Sequence, residues 1–114
     1  MSRSAGDTLA EQKSHAFIFA ALGDETRLSL IAKLCSGTPQ SISQLAQGSN
    51  LTRQAITKHL RVLEGAGVVR GVRVGREHQF AFNPAPIGKA KSYLDLVSQE
   101  WDEALARLKS FVED

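Results

Sequence analysis

The run from Leu51 to Leu63 carries Thr52, Arg53, Gln54, Thr57, Lys58 and Arg61 interleaved with Ala55, Ile56, Leu60 and Leu63. A helical period puts the polar set on one side and the apolar set on the other. The chemistry open to the polar set is recognition of a polyanion with flat hydrogen-bonding edges. The primary amide of Gln54 offers one donor and one acceptor, which is what adenine presents in a major groove, and the guanidinium of Arg53 matches guanine or a phosphate. Thr57 is placed to touch a thymine methyl or accept a bond, and Lys58 and Arg61 suit phosphates. The Thr52 hydroxyl can serve either a phosphate or the helix start. Further on, Arg73 and Arg76 flank Gly75, where an arginine can enter a minor groove or clamp its backbone. The residue types alone do not decide which of these side chains would read bases.

The charge distribution points the same way. Residues 1–49 carry four basic and four acidic side chains, residues 50–91 eight against two, and residues 92–114 two against six. The central block is therefore +6 inside a chain whose total is only +2. Such a block is an electrostatic footprint for a polyanion.

These residues need elements to hold them. A first helix is expected over residues 8–22, with Leu9, Lys13, Ala16, Phe17 and Ala20 on one face, preceded by a flexible tail over residues 1–7. Gly23 interrupts it, and Asp24 caps a second helix whose stripe reads Leu28, Ile31, Ala32 and Cys35. Gly37, Thr38 and Pro39 make a loop. Ser41 and Gln44 have the spacing of a capping box, opening a short helix with Ile42, Leu45 and Ala46 as its apolar side. Asn50, which tolerates a left-handed backbone, supplies the turn before Thr52 opens the basic helix. The runs Val68–Val74 and His78–Phe82 around Gly75-Arg76-Glu77 read as a β-hairpin. A final helix over residues 87–112 carries Ile87, Ala90, Leu94, Val97, Trp101, Leu105, Leu108 and Phe111 at steps of three or four. It is longer than a chain of this size needs for its own core, so its stripe asks for a second copy as cover.

A short helix, a turn and a basic helix followed by a hairpin is the pattern of a winged helix-turn-helix. The expected fold is mainly α with a small β-hairpin: about five helices plus a two-stranded wing, in one domain over residues 1–114 with its DNA-binding part at residues 41–83. The stretch Ala21–Leu28, the run Leu51–Leu63 and the wing Val74-Gly75-Arg76-Glu77 resemble the ArsR/SmtB family of bacterial winged-helix regulators, over about residues 15–112. The resemblance implies a homodimer joined by its first and last helices and a repressor of transcription on an inverted-repeat operator. Many members release DNA on sensing a metal or an oxidant. This chain departs from that half of the pattern. It has no paired cysteines near Ser41–Leu45 and no histidine between Tyr93 and Phe111. It is similar in this to members without the metal-ligand motifs, and no metal, cofactor or particular effector is expected.

Other functions fare less well. No nucleophile–base pair, glycine-rich phosphate loop or isolated carboxylate pair is present, which argues against an enzyme. The rivals are a winged-helix module that docks a protein and a nonspecific DNA-binding protein; the basic block on both helix and hairpin speaks against the first. Cys35, on the apolar stripe, reads as a buried structural thiol. His59 reads as half-buried and bonded to backbone or phosphate, His78 as solvent-facing or close to DNA, and His15 as an ordinary helical position. At 114 residues, with one cysteine and no apolar run of membrane-spanning length, the chain reads as a cytoplasmic protein. The interface residues expected from the stripes are Phe17, Leu94, Val97, Trp101, Leu105 and Leu108.

Overall fold

Gly23 and Asp24 divide the first helical stretch in two. Asp24 has an extended backbone, and its carboxylate accepts the Arg27 N–H at 3.0 Å, satisfying one of the free donors at a helix start. In the computed structural model, which describes residues 9–113, the elements are α1 (Leu9–Leu22), α2 (Glu25–Leu34), β1 (Gln40–Ser41), α3 (Ile42–Ala46), α4 (Arg53–Gly65), β2 (Val69–Val74), β3 (Glu77–Phe82) and α5 (Ala85–Glu113). The expected tail over residues 1–7 lies outside the described residues. The fold is a winged helix-turn-helix with five helices and a three-stranded antiparallel sheet in the order β1-β3-β2. The two-stranded wing, β2 and β3, is present as expected, and a third short strand extends its sheet: Gln40 and Ser41 pair with Phe80 and Gln79 on the outer edge of β3.

One core holds these elements together. Leu45 of α3, Ile56, Leu60 and Leu63 of α4, and Val68 are fully buried, and Leu30, Leu34, Val69 and Phe80 close around them. Each such side chain contributes roughly 1.5–3 kcal/mol by leaving water. The face α2 buries is Leu30 and Leu34, one turn apart, with Ile31 beside them; Leu28 is half exposed. The stripe expected through Leu28 and Cys35 is therefore rotated from the real one. Cys35 is not buried but stands exposed at the C-cap of α2, its N–H still bonded to Ile31 O at 2.8 Å.

The five-residue α3 is too short to persist alone. The capping box closes its start: Ser41 N–H donates to Gln44 Oε1 at 2.8 Å and Gln44 N–H to Ser41 Oγ at 3.2 Å. At its other end, Lys33 Nζ donates to the Leu45 carbonyl at 3.1 Å. The turn into α4 uses Gly48, with φ of 74°, and no non-glycine residue has positive φ among the described residues. Asn50 does not take the left-handed position expected of it, because the chain reverses immediately after α3 and not nearer α4.

Helix α5 has 29 residues and so runs for roughly 43 Å at about 1.5 Å per residue. Its first turns hold it to the rest of the fold, Ile87 packing on the core and Ala90 being buried, and every residue from Ser98 to Glu113 is exposed. The radius of gyration is 18.6 Å, against about 13 Å for a compact domain of similar length; the projecting helix makes the difference. His15 on α1 is more than an ordinary helical position: its ring stacks on Tyr93 of α5, centroids 4.4 Å apart. No helix among the described residues is long and apolar enough to cross a membrane.

Candidate nucleic-acid interface

Thr52 is the N-cap of α4, its Oγ1 accepting the Ala55 N–H at 3.0 Å. The hydroxyl proton remains free to donate, so capping and a phosphate contact are compatible. Thr57 Oγ1 donates to the Arg53 carbonyl at 2.7 Å, which turns the hydroxyl back onto the helix. With Ile56, Leu60 and Leu63 locked into the core, the opposite face of α4 is committed to solvent. Arg53, Gln54, Lys58 and Arg61 are exposed there, and Thr57 is half-buried.

The structure brings all six of the α4 residues singled out from sequence around one shallow depression of about 710 Å³, lined also by Ala55 and by Ile42 from α3. Arg73 and Arg76 stand apart from it on the wing. Arg73 lies on β2 opposite His78, and Arg76 sits in the two-residue turn between Val74 and Glu77, beside Gly75 at φ 64°. Both are exposed. None of Arg53, Lys58, Arg61, Arg73 and Arg76 has a side-chain hydrogen bond or ion pair among the described residues. The cations of helix and wing are left uncompensated, the arrangement that attracts phosphate.

Behind this face lies a polar joint that sequence reading missed. Arg27 donates from Nε to the Ala21 carbonyl at 2.6 Å and from Nη2 to the Ala20 carbonyl at 3.3 Å, capping the end of α1. Its Nη1 lies 3.2 Å from His59 Nδ1 on α4, and Asp24 Oδ2 lies 3.7 Å from the same nitrogen. His59 is half-buried as expected, and its Nδ1 faces side chains of α2 and its N-cap. The Arg27 N–H donating to Asp24 holds that carboxyl below its ordinary range, with smaller help from the charge of Arg27. A cation in the first turn of a helix opposes the macrodipole; that misplacement is the signal that Arg27 has partners elsewhere. His78 is exposed as expected, tilted against Phe80 at 4.8 Å. Among the described residues no three His, Cys, Asp or Glu side chains gather as metal ligands would.

A free basic helix seated on a short capped helix, with a basic wing, defines a helix-turn-helix DNA-binding domain. Comparison with known proteins agrees. A helix-turn-helix domain family matches residues 22–72. The HTH-type transcriptional regulator YuzN of Bacillus subtilis is 38% identical over 76 residues, covering 61% of this chain and 83% of the relative. The structure of an ArsR-like transcriptional regulator from Rhodococcus sp. RHA1 is 38% identical, with a TM-score of 0.79 over 90% of this chain and 96% of that one. A crystal structure of a second ArsR family regulator is 25% identical, with a TM-score of 0.72 over 90% and 97% of the two chains. The chain belongs to the ArsR family of winged helix-turn-helix transcriptional regulators, a family of regulators and not of enzymes.

Proposed function

We propose that this regulator is a homodimeric repressor that binds an inverted-repeat operator. The observation that carries the reading is the row of uncompensated cations shared by α4 and the wing, in a chain that is nearly neutral overall. In this reading α4 of each protomer enters a major groove. Arg53 and Gln54, at its amino end, meet base edges, Thr57 lies against the bases beside them, and Thr52, Lys58 and Arg61 hold phosphates. Arg73 and Arg76 clamp the neighbouring minor groove.

The dimer is built from Phe17 on α1 and Leu94, Val97, Trp101, Leu105 and Leu108 on α5. Its support is the apolar surface these helices leave uncovered: Phe17 is 57% exposed, Trp101 69% and Leu105 61%. Surface of that kind on one long helix asks for a partner, and a two-fold copy supplies two half-sites about 34 Å apart. Repression is what family membership implies, by occupancy of DNA that polymerase must use.

The test is fluorescence-anisotropy titration of the full chain against the DNA upstream of its own gene and a scrambled duplex, over a salt series. Specific binding at every salt is expected. Gln54→Ala should relax preference at one base pair by about 1–3 kcal/mol. Lys58→Ala should weaken all sequences alike and flatten the salt slope by about one. Equal, steeply salt-dependent binding to both duplexes would make this a nonspecific DNA binder. Absence of binding would move the weight to a protein-docking winged helix.

A further inference from the structure

The depression on α4 is not lined by polar groups alone. Ile42 from α3, Ala55 and Thr57 are all half-buried in its lining, while Arg53, Gln54 and Lys58 stand exposed around them. Ile42 packs partly on the core, which fixes where it sits. Thr57 spends its hydroxyl proton on the Arg53 carbonyl at 2.7 Å, so the part of its side chain left for a ligand is chiefly its methyl. The donors of the depression, Thr52, Arg53, Lys58 and Arg61, stand around this apolar patch, which itself offers a phosphate nothing to replace its water. The patch suits an apolar group carried on a polyanion. In the major groove only one of the four bases presents such a group: thymine, through its C5-methyl.

We propose that Ile42, Ala55 and Thr57 form a thymine-methyl reader, so that each operator half-site carries a thymine facing this patch and Ile42, from the supporting helix, is a specificity-determining residue. The inference rests on the reading of α4 as a major-groove helix and adds the base it selects. Burying one methyl corresponds to about a three- to five-fold change in affinity.

The experiment starts by selecting the preferred duplex of the full-length protein from a randomised library, which needs no knowledge of the natural operator. Each thymine of the selected site is then replaced by deoxyuridine, which removes the methyl and leaves every hydrogen-bonding group in place. One or two positions per half-site should lose about three- to five-fold in affinity, with the rest unchanged. Thr57→Ser keeps the hydroxyl bond and removes the methyl; Ile42→Val trims one methylene at small cost to the core. Both should shrink the thymine-to-uracil ratio at those positions, and circular-dichroism melting verifies that both fold. A selected site whose thymines can all be replaced without loss overturns the methyl reader and leaves sequence-specific binding standing. A thymine effect that neither variant alters overturns the assignment to these residues. A pool that never enriches overturns this inference together with the reading beneath it.

Discussion

Removing the Arg27 side chain should cost the fold more than its half-exposed position suggests. Its guanidinium serves three acceptors on two other helices: the Ala21 carbonyl at 2.6 Å, the Ala20 carbonyl at 3.3 Å and His59 Nδ1 at 3.2 Å. Ala20 is exposed, so water can replace the arginine at its carbonyl. Ala21 is only 2% exposed, and an unpaired carbonyl there carries a desolvation cost of about 1–3 kcal/mol. Adding about 1 kcal/mol for the bond to His59, Arg27→Ala should destabilise the protein by about 2–4 kcal/mol. Arg27→Lys should recover less than half of this, because one ammonium on a flexible stem cannot reach three acceptors. The assay is urea denaturation at one fixed protein concentration, since any association would move the midpoint with concentration. A double-mutant cycle with His59→Ala should return a coupling of about 0.5–1.5 kcal/mol, as for side chains in direct contact. A loss below about 0.5 kcal/mol for Arg27→Ala, comparable to an ordinary surface change, would refute the reasoning and leave α1 and α4 joined by apolar packing alone.

Three further outcomes are expected. The Asp24 carboxyl is held low in the folded state, chiefly by the Arg27 N–H. Its contribution is therefore full above the unfolded value of about 4 and is lost as pH falls through the lower folded value. Asp24→Asn, which keeps the cap without the charge, should show a smaller drop in urea midpoint than the natural protein between about pH 5 and pH 3; parallel drops would remove Asp24 from the acid response. Gly48→Ala forces a Cβ into a left-handed turn and should cost about 1–2 kcal/mol, with Gly48→Asn milder; equal midpoints for all three would mean the turn has another conformation open to it. Trp101→Asp should convert the proposed dimer to monomers by sedimentation velocity with its circular-dichroism spectrum preserved, and a variant that stays dimeric would place Trp101 outside the interface.

Much of this fold could be read from local signals. The capping box at Ser41 and Gln44, the Thr52 cap and the apolar positions Ile56, Leu60 and Leu63 all act within a few residues of themselves, and each lies where its pattern placed it. The outward set from Thr52 to Arg61 follows from the same period, because a helix that buries one stripe must expose the other. What escaped was non-local or shared between neighbouring faces. β1 is two residues long and exists only because β3 passes beside it, nearly forty positions later in the chain. No periodicity can announce such a strand. The rotation of α2 that exposes Cys35 and buries Leu34 was decided by packing, with both stripes apolar enough in sequence to qualify. Arg27 looked like one more charge on a helix, and its meaning lies in carbonyls of a different helix and a histidine of a third.

Ser41 belongs to two structures at once. It pairs with Gln79 as the last residue of β1, and its backbone and hydroxyl close the start of α3. Wing and helix-turn-helix are thus not separate cassettes. A transplant of residues 69–82 into another scaffold would leave the outer edge of β3 unpaired, an edge open to wrong partners. It would also leave Gln40 and Ser41 of the donor, which lead into α3, without the strand they pair with. The smallest portable unit begins upstream of Gln40 and includes the whole hairpin. Exchanging wings between relatives is therefore an exchange of α3 as well, and a chimera built at the apparent boundary before β2 would inherit a supporting helix fitted to a different sheet.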